Sequence, residues 1–193
     1  MSAAERLYTP EEYLALERAA ETKSEYFDGR IFAMSGATED HNLIAGNVFA
    51  EIRGQLKGRP CRAYMADMRV KVSETGLYTY PDVMALCGER LLADGRRDTL
   101  LNPGAIIEVL SPSTEAYDRG EKFAHYRRLE SLTDYVLIAQ DKARVEHYVR
   151  QGEQWVLTSI DSLDGTLHLA SIGCEVALRD IYAMVEFPGH TAG

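Results

Sequence analysis

The stretch YPDVMALC, residues 80–87, is followed by AIIEVLSPST, residues 105–114, and each apolar run contains one acid, Asp82 and Glu108. Neither run alternates with polar residues, so both read as strands covered on two faces of a mixed sheet. An ionised carboxylate is costly to remove from water unless something pairs with it. If the two strands lie side by side, the two carboxylates approach closely and must share a proton or a cation. A divalent metal is the economical answer. Oxygen-only ligation favours Mg²⁺ or Mn²⁺, which take one or two carboxylates with water and substrate phosphate oxygens. The backbone carbonyl of Val109 is placed to add a ligand.

Outward from these strands the chain reads as an α/β protein. TPEEYLALERAAE has Thr9 as N-cap, Pro10 at the first helical position and Glu12 closing a capping box, which predicts a helix from Thr9 to Glu21. SEYFDGRIFAMS is a hairpin turning on Asp28-Gly29. A second helix carries Ile44, Val48, Ile52 and Leu56 on one face and ends at Gly58. MRVKV alternates, giving a strand with Arg69 and Lys71 on a wet face, and GERLLADGRRDTLLNPG is a polar excursion. STEAYDRGEKFAHYRRLES is a helix with Phe123, Tyr126 and Leu129 as its apolar stripe. TDYVLIAQ is a buried strand, a hairpin follows around Gln151-Gly152, and GTLHLASIGCEVALRDIY is more strand. The order helix, hairpin, helix, three strands, helix, strand, hairpin gives a mixed sheet with helices packed on it.

A chain of 193 residues with 46% apolar and 26% charged residues is expected to form one domain, disordered only in its first few residues and the tail PGHTAG. The charged N-terminus lacks the apolar core of a signal peptide and no run is long enough to span a membrane. Cys61, Cys87 and Cys174 are odd in number and far apart, which suggests packing residues in a reducing, cytoplasmic compartment. The net charge of −9 opposes broad adhesion to nucleic acid, although DGRR with DRGEKFAHYRR offers a local basic strip.

PD followed by ExL, with DRGEKFAHY on a downstream helix, resembles the Uma-type endonucleases, a branch of the PD-(D/E)XK restriction-nuclease-like superfamily. The resemblance runs from EYFDGRIFAMSGA and His41 through EVLSPST to DYVLI. It implies a restriction-endonuclease-like αβββαβ core, at about residues 38–140 of a single domain spanning 1–193, with an N-terminal helix and hairpin and C-terminal hairpin additions. It also implies Mg²⁺-dependent hydrolysis of phosphodiesters in DNA, with Asp82 and Glu108 holding the metal. Leu110 stands where the superfamily pattern places its lysine, so that role passes to Lys122, with Asp118 one turn before it. Glu25 and His41 match featured positions that would position phosphate or water, and Asp67 is a lesser candidate. SPST ahead of the helix would offer N–H groups to a phosphate. A homodimer is expected, because cutting both strands of a duplex needs two sites.

Structural roles compete with these. Asp82 would be a turn acid, Glu108 a core acid neutralised by one Arg or Lys, and Asp118 and Lys122 an exposed pair on a wet helix face. Glu25 would brace its hairpin, His41 would simply occupy a first helical turn, and SPST would be an N-cap. The alternative function is a catalytically degenerate nuclease fold kept for binding or oligomerisation, favoured by Leu110 and the net charge; hydrolysis of another phosphoester is a third.

Overall fold

Strands Cys61–Met65 (β3), Val83–Cys87 (β6), Ala105–Val109 (β8) and Asp134–Ile138 (β9) form the centre of a six-stranded sheet in the computed structural model, which describes residues 6–187. The first residues and the tail PGHTAG lie outside that range. β3, β6 and β8 are a consecutive antiparallel series, and β9 is parallel to β8. The parallel step needs a crossover, which a helical segment supplies: Glu115–Tyr117 (α3), a π-helical stretch Asp118–Lys122, and Phe123–Tyr126 (α4). With helix Glu39–Gln55 (α2) ahead of β3, the sequence of elements is αβββαβ. Val145–Gln151 (β10) and Gln154–Ile160 (β11) extend the sheet beyond β9, giving the order β11-β10-β9-β8-β6-β3.

The remaining strands lie in the connections. Ser24–Phe27 (β1), Arg30–Ala33 (β2), Arg69–Val72 (β4), Leu77–Thr79 (β5) and Thr99–Leu100 (β7) make a second sheet, ordered β2-β1-β5-β4-β7. Asp28 and Gly29 both adopt positive φ, 48° and 80°, as a two-residue hairpin turn of this kind requires. Helix Pro10–Glu17 (α1) starts with the expected reciprocal capping box between Thr9 and Glu12. It stops short of Glu21, ending at Glu17, whose carboxylate accepts from the Ser24 amide at 3.0 Å and the Tyr80 hydroxyl at 2.8 Å.

Alternation along β6, β8 and β9 divides the core. Val83, Ala85, Ile107, Val109, Val136 and Ile138 pack against Ile44, Val48 and Ile52 of α2 and against hairpin Thr166–Leu169 (β12) and Cys174–Ala177 (β13). Met84, Leu86, Ile106 and Leu110 face Phe123, Tyr126 and Leu129, with Val70, Val72 and Leu77 from the second sheet. Asp82 and Glu108 share the parity of this second set.

Four local expectations are corrected. Arg69 is buried at 3% exposure, because β7, inside the excursion read as loop, pairs with β4 and covers it. Its guanidinium is satisfied by the Tyr80 hydroxyl at 2.9 Å and Asp98 at 2.6 Å. The segment read as continuous strand after Gly165 contains the β12–β13 hairpin and a short helix, Leu178–Ile181 (α5). Cys61 and Cys87 are direct partners across β3 and β6 and form a disulfide, while Cys174 is a free buried thiol. Distance along the chain hid this contact, because the antiparallel register brings the two residues opposite each other.

Asp134, 1% exposed at the start of β9, joins three elements. It shares a 2.7 Å hydrogen bond with His147 on β10 and accepts one at 3.0 Å from the Ser171 amide between β12 and β13. Burial pushes its pKa up, but the bonds from His147 and Ser171 outweigh this and hold it below the ordinary carboxylate range. A carboxyl with a lower pKa folded than unfolded contributes stability that is present above its unfolded pKa, about 3.9, and lost as pH falls through the folded value. Asp134→Asn should lower stability at pH 7 by about 1–3 kcal/mol in denaturant titrations and flatten the acid-side loss. An unchanged midpoint and acid profile would contradict this.

Candidate active site

The β6–β8 register Met84↔Ile106, Val83↔Ile107, continued by one pair, sets Asp82 opposite Glu108. The Asp82 amide lies 3.4 Å from Glu108 Oε2, and the Val109 amide donates to Asp82 Oδ2 at 2.7 Å. Each acid is thus tied to the other's strand. His41, in the first turn of α2, approaches from above with Nε2 3.2 Å from Asp82 Oδ2. Its placement follows from Thr38, whose hydroxyl caps α2 by accepting from the His41 amide.

Lys122 arrives from the crossover helix. Its Nζ is 2.9 Å from Glu108 Oε1, 3.4 Å from Asp118 Oδ1 and 3.7 Å from Glu25 Oε1, and its side chain is 7% exposed. The π-helical turn spans these residues, and the Tyr135 hydroxyl donates to the Asp118 carbonyl at 2.9 Å within it. Such single π-turns reset which side chains face inward, and they recur at functional sites. Glu25 comes from β1, where it accepts a hydrogen bond from Thr79 on β5. The second sheet therefore contributes one wall of the site.

Burial pushes the Glu108 carboxyl up, to about 8, against the downward pull of Lys122, and the neighbouring Asp82 and Asp118 push the same way as burial. Burial likewise raises Asp118 against the pull of Lys122. Burial disfavours the charged form of Lys122, but Glu108, Tyr126, Glu25 and Asp118 outweigh it and hold the ammonium protonated well above its usual range. For His41 burial is outweighed by Asp82, with the Val109 backbone adding to it, so the imidazolium persists to higher pH than usual. The site carries a fixed ammonium among acids, with Glu108 ready to accept a proton.

The structure thus brings together Glu25, His41, Asp82, Glu108, Asp118 and Lys122. Asp118 and Lys122 are a buried pair, not a solvated one. Asp67 lies apart, its side chain 90% exposed and paired with Lys23. SPST folds on itself: the Ser111 hydroxyl takes the Thr114 amide, and Thr114 makes no side-chain cap. Leu110 is buried in the apolar core beside Phe123 and Tyr126. Two participants were not singled out from the sequence. Tyr126, placed in the apolar stripe, also donates its hydroxyl to Glu108 Oε1 at 2.8 Å. Gln140 bridges the Leu110 carbonyl at 2.6 Å to the Thr38 hydroxyl at 2.8 Å, bracing the end of β8 against the start of α2.

Among the described residues no three His, Cys, Asp or Glu side chains are grouped to hold a metal ion. The donor set therefore does not fit a cage of protein ligands. It does fit a hard cation that keeps most of its water: two opposed carboxylates meet that need, and Asp82 Oδ1 has no hydrogen-bond partner among the described residues.

Removing Lys122 leaves buried acids without their counter-ion, which typically costs about 3–5 kcal/mol. Lys122→Met should destabilise the protein by roughly that amount, and adding Glu108→Gln should recover part of the loss. Strictly additive losses in chemical denaturation would show that the two side chains are not paired.

A family model described as "Putative restriction endonuclease", Uma2, matches residues 10–179. Two proteins of Synechocystis sp. are each 36% identical to the chain: slr1290, over 182 residues and 93% of both chains, and sll1609, over 156 residues, 80% of this chain and 88% of that one. Both are described as uncharacterized. The crystal structure of "a putative nuclease belonging to DUF820" from Anabaena variabilis is similar in fold, with a TM-score of 0.75 and 22% identity, over 91% of this chain and 98% of that one. The match across most of the chain and these full-length relatives place the protein in the Uma2 family of restriction-endonuclease-like proteins.

Proposed function

We propose that the protein is a Mg²⁺- or Mn²⁺-dependent endonuclease that hydrolyses phosphodiester bonds in DNA. The observation that carries this reading is the contact of Lys122 Nζ with Glu108, 2.9 Å, directly across from Asp82. An ammonium and two opposed carboxylates on neighbouring central strands are components that metal-assisted phosphodiester hydrolysis uses. The family description and the nuclease-like fold support it.

Asp82, Glu108 and the Val109 carbonyl would hold the cation, which when bound supplies Lewis-acid polarisation of a phosphate oxygen and a more acidic water. Lys122 presents a positive charge where negative charge develops on phosphate, and it is already positioned by three carboxylates before substrate arrives. Tyr126 fixes the rotamer of Glu108, and His41 fixes that of Asp82. His41, whose imidazolium persists to higher pH than usual beside Asp82, would offer a positive edge to a phosphate.

A homodimer acting in the cytoplasm completes the proposal: cutting a duplex takes two sites, and the DNA substrate lies in that compartment. The exposed Cys87 would there be kept reduced, so activity should not depend on its bond to Cys61.

A degenerate binding module is the second reading, favoured by Leu110 at the pattern's lysine position. The migration of the ammonium to Lys122, in contact with Glu108, speaks against it. Plasmid nicking in Mg²⁺ or Mn²⁺ decides between them. The endonuclease reading predicts cleavage that EDTA abolishes and that Asp82→Asn or Lys122→Met lowers by about 100-fold or more, with reducing agent having no effect. Binding of DNA without cleavage under all these conditions would favour the module.

A further inference from the structure

At the end of the sheet away from the acid cluster, the C-terminal end of α4 and the turn of the β10–β11 hairpin enclose a cleft of about 320 Å³ lined by Arg127, Arg128, Arg150, Glu153 and Trp155. Glu108 pairs with Leu137 on β9, whereas the Arg150 amide donates to Thr133 just before β9 begins, a separation of four residues. Along a strand that is on the order of 13 Å. Lys122 and Tyr126 face inward from the same helical segment, so the cleft opens on its other side.

We propose that this cleft binds a phosphate monoester. Three arginines converge in a chain whose net charge is −9. Arg127 and Arg150 have no acidic partner among the described residues, and Arg128 reaches only Glu74, at 4.0 Å with both side chains more than half exposed. Such exposed pairs contribute little. With Glu153 as the acid in the lining, the cleft has an excess of about two positive charges, which matches the charge of a monoester near neutral pH. A carboxylate or an internal phosphodiester, with one charge, would leave a cation unneutralised.

Two of the arginines are also held in place. Arg150 donates to the carbonyls of Arg127 at 2.6 Å and Leu129 at 2.9 Å, and its guanidinium lies over the Trp155 ring at 4.8 Å. Its Nε is buried and has no hydrogen-bond partner among the described residues. Arg127 lies over Phe123, with its guanidinium carbon 5.2 Å from the ring centroid.

Free inorganic phosphate carries the same dianionic group as a monoester at the 5′ end of a nucleic-acid strand, and one experiment separates these two sources without any metal at the acid cluster. In EDTA, the protein is titrated calorimetrically with inorganic phosphate, and with a short oligothymidylate carrying either a 5′-phosphate or a 5′-hydroxyl. Saturable phosphate binding supports the site, and at least tenfold tighter binding of the 5′-phosphorylated strand than of its 5′-hydroxyl counterpart assigns it to strand ends. Arg128→Glu, an exposed change that leaves folding intact, and Arg127→Gln should each weaken that binding about tenfold, whereas Arg62→Glu, exposed on β3, should not. No phosphate binding with equal affinity for the two oligonucleotides, or equal loss in the Arg62 and Arg128 variants, would overturn the proposal.

Discussion

An ammonium buried beneath three carboxylates is the constraint on which the rest of the site depends. Lys122 can stay charged inside the protein only because Glu108, Asp118 and Glu25 surround it, and those acids can stay buried only because Lys122 is there. The arrangement adds a charged contact to elements that already share a hydrophobic face. Glu108 belongs to β8, Glu25 to the second sheet, and Asp118 with Lys122 to the crossover helix. Removing Lys122 takes the shared counter-ion from all three acids.

The crossover segment supplies two of these groups: Asp118 and Lys122 lie at either end of its π-helical turn and both are buried. At the other wall, β1 and β5 place Glu25 and Thr79 in hydrogen-bonding contact, so that the second sheet closes over Lys122. Glu108 is balanced between burial, which pushes its pKa up, and Lys122, which pulls it down.

Much of this was legible in the sequence because it rests on local patterns. The non-alternating runs around Asp82 and Glu108 identified two central strands, Thr9-Pro10-Glu12 fixed the start of α1, and Asp28-Gly29 fixed the first hairpin. What escaped depended on tertiary contact. Arg69 looked solvated until β7 covered it, and Cys61 and Cys87 met only through the register of β3 against β6. Tyr126 carried two signals at once, apolar ring and polar hydroxyl, and periodicity reports only the first. The displacement of the lysine from position 110 to 122 was readable only through the family resemblance, since nothing in the spacing of Glu108 and Lys122 brings a strand and a helix together.

In the proposed function Asp82 and Glu108 face one another to share a divalent cation beside Lys122. Crystals grown or soaked in Mn²⁺ and measured at the manganese absorption edge test that sharing. One anomalous peak is expected between the two carboxylates, within reach of the Val109 carbonyl and absent in Asp82→Asn. An undisturbed Lys122–Glu108 pair with no anomalous peak at saturating Mn²⁺ would contradict it.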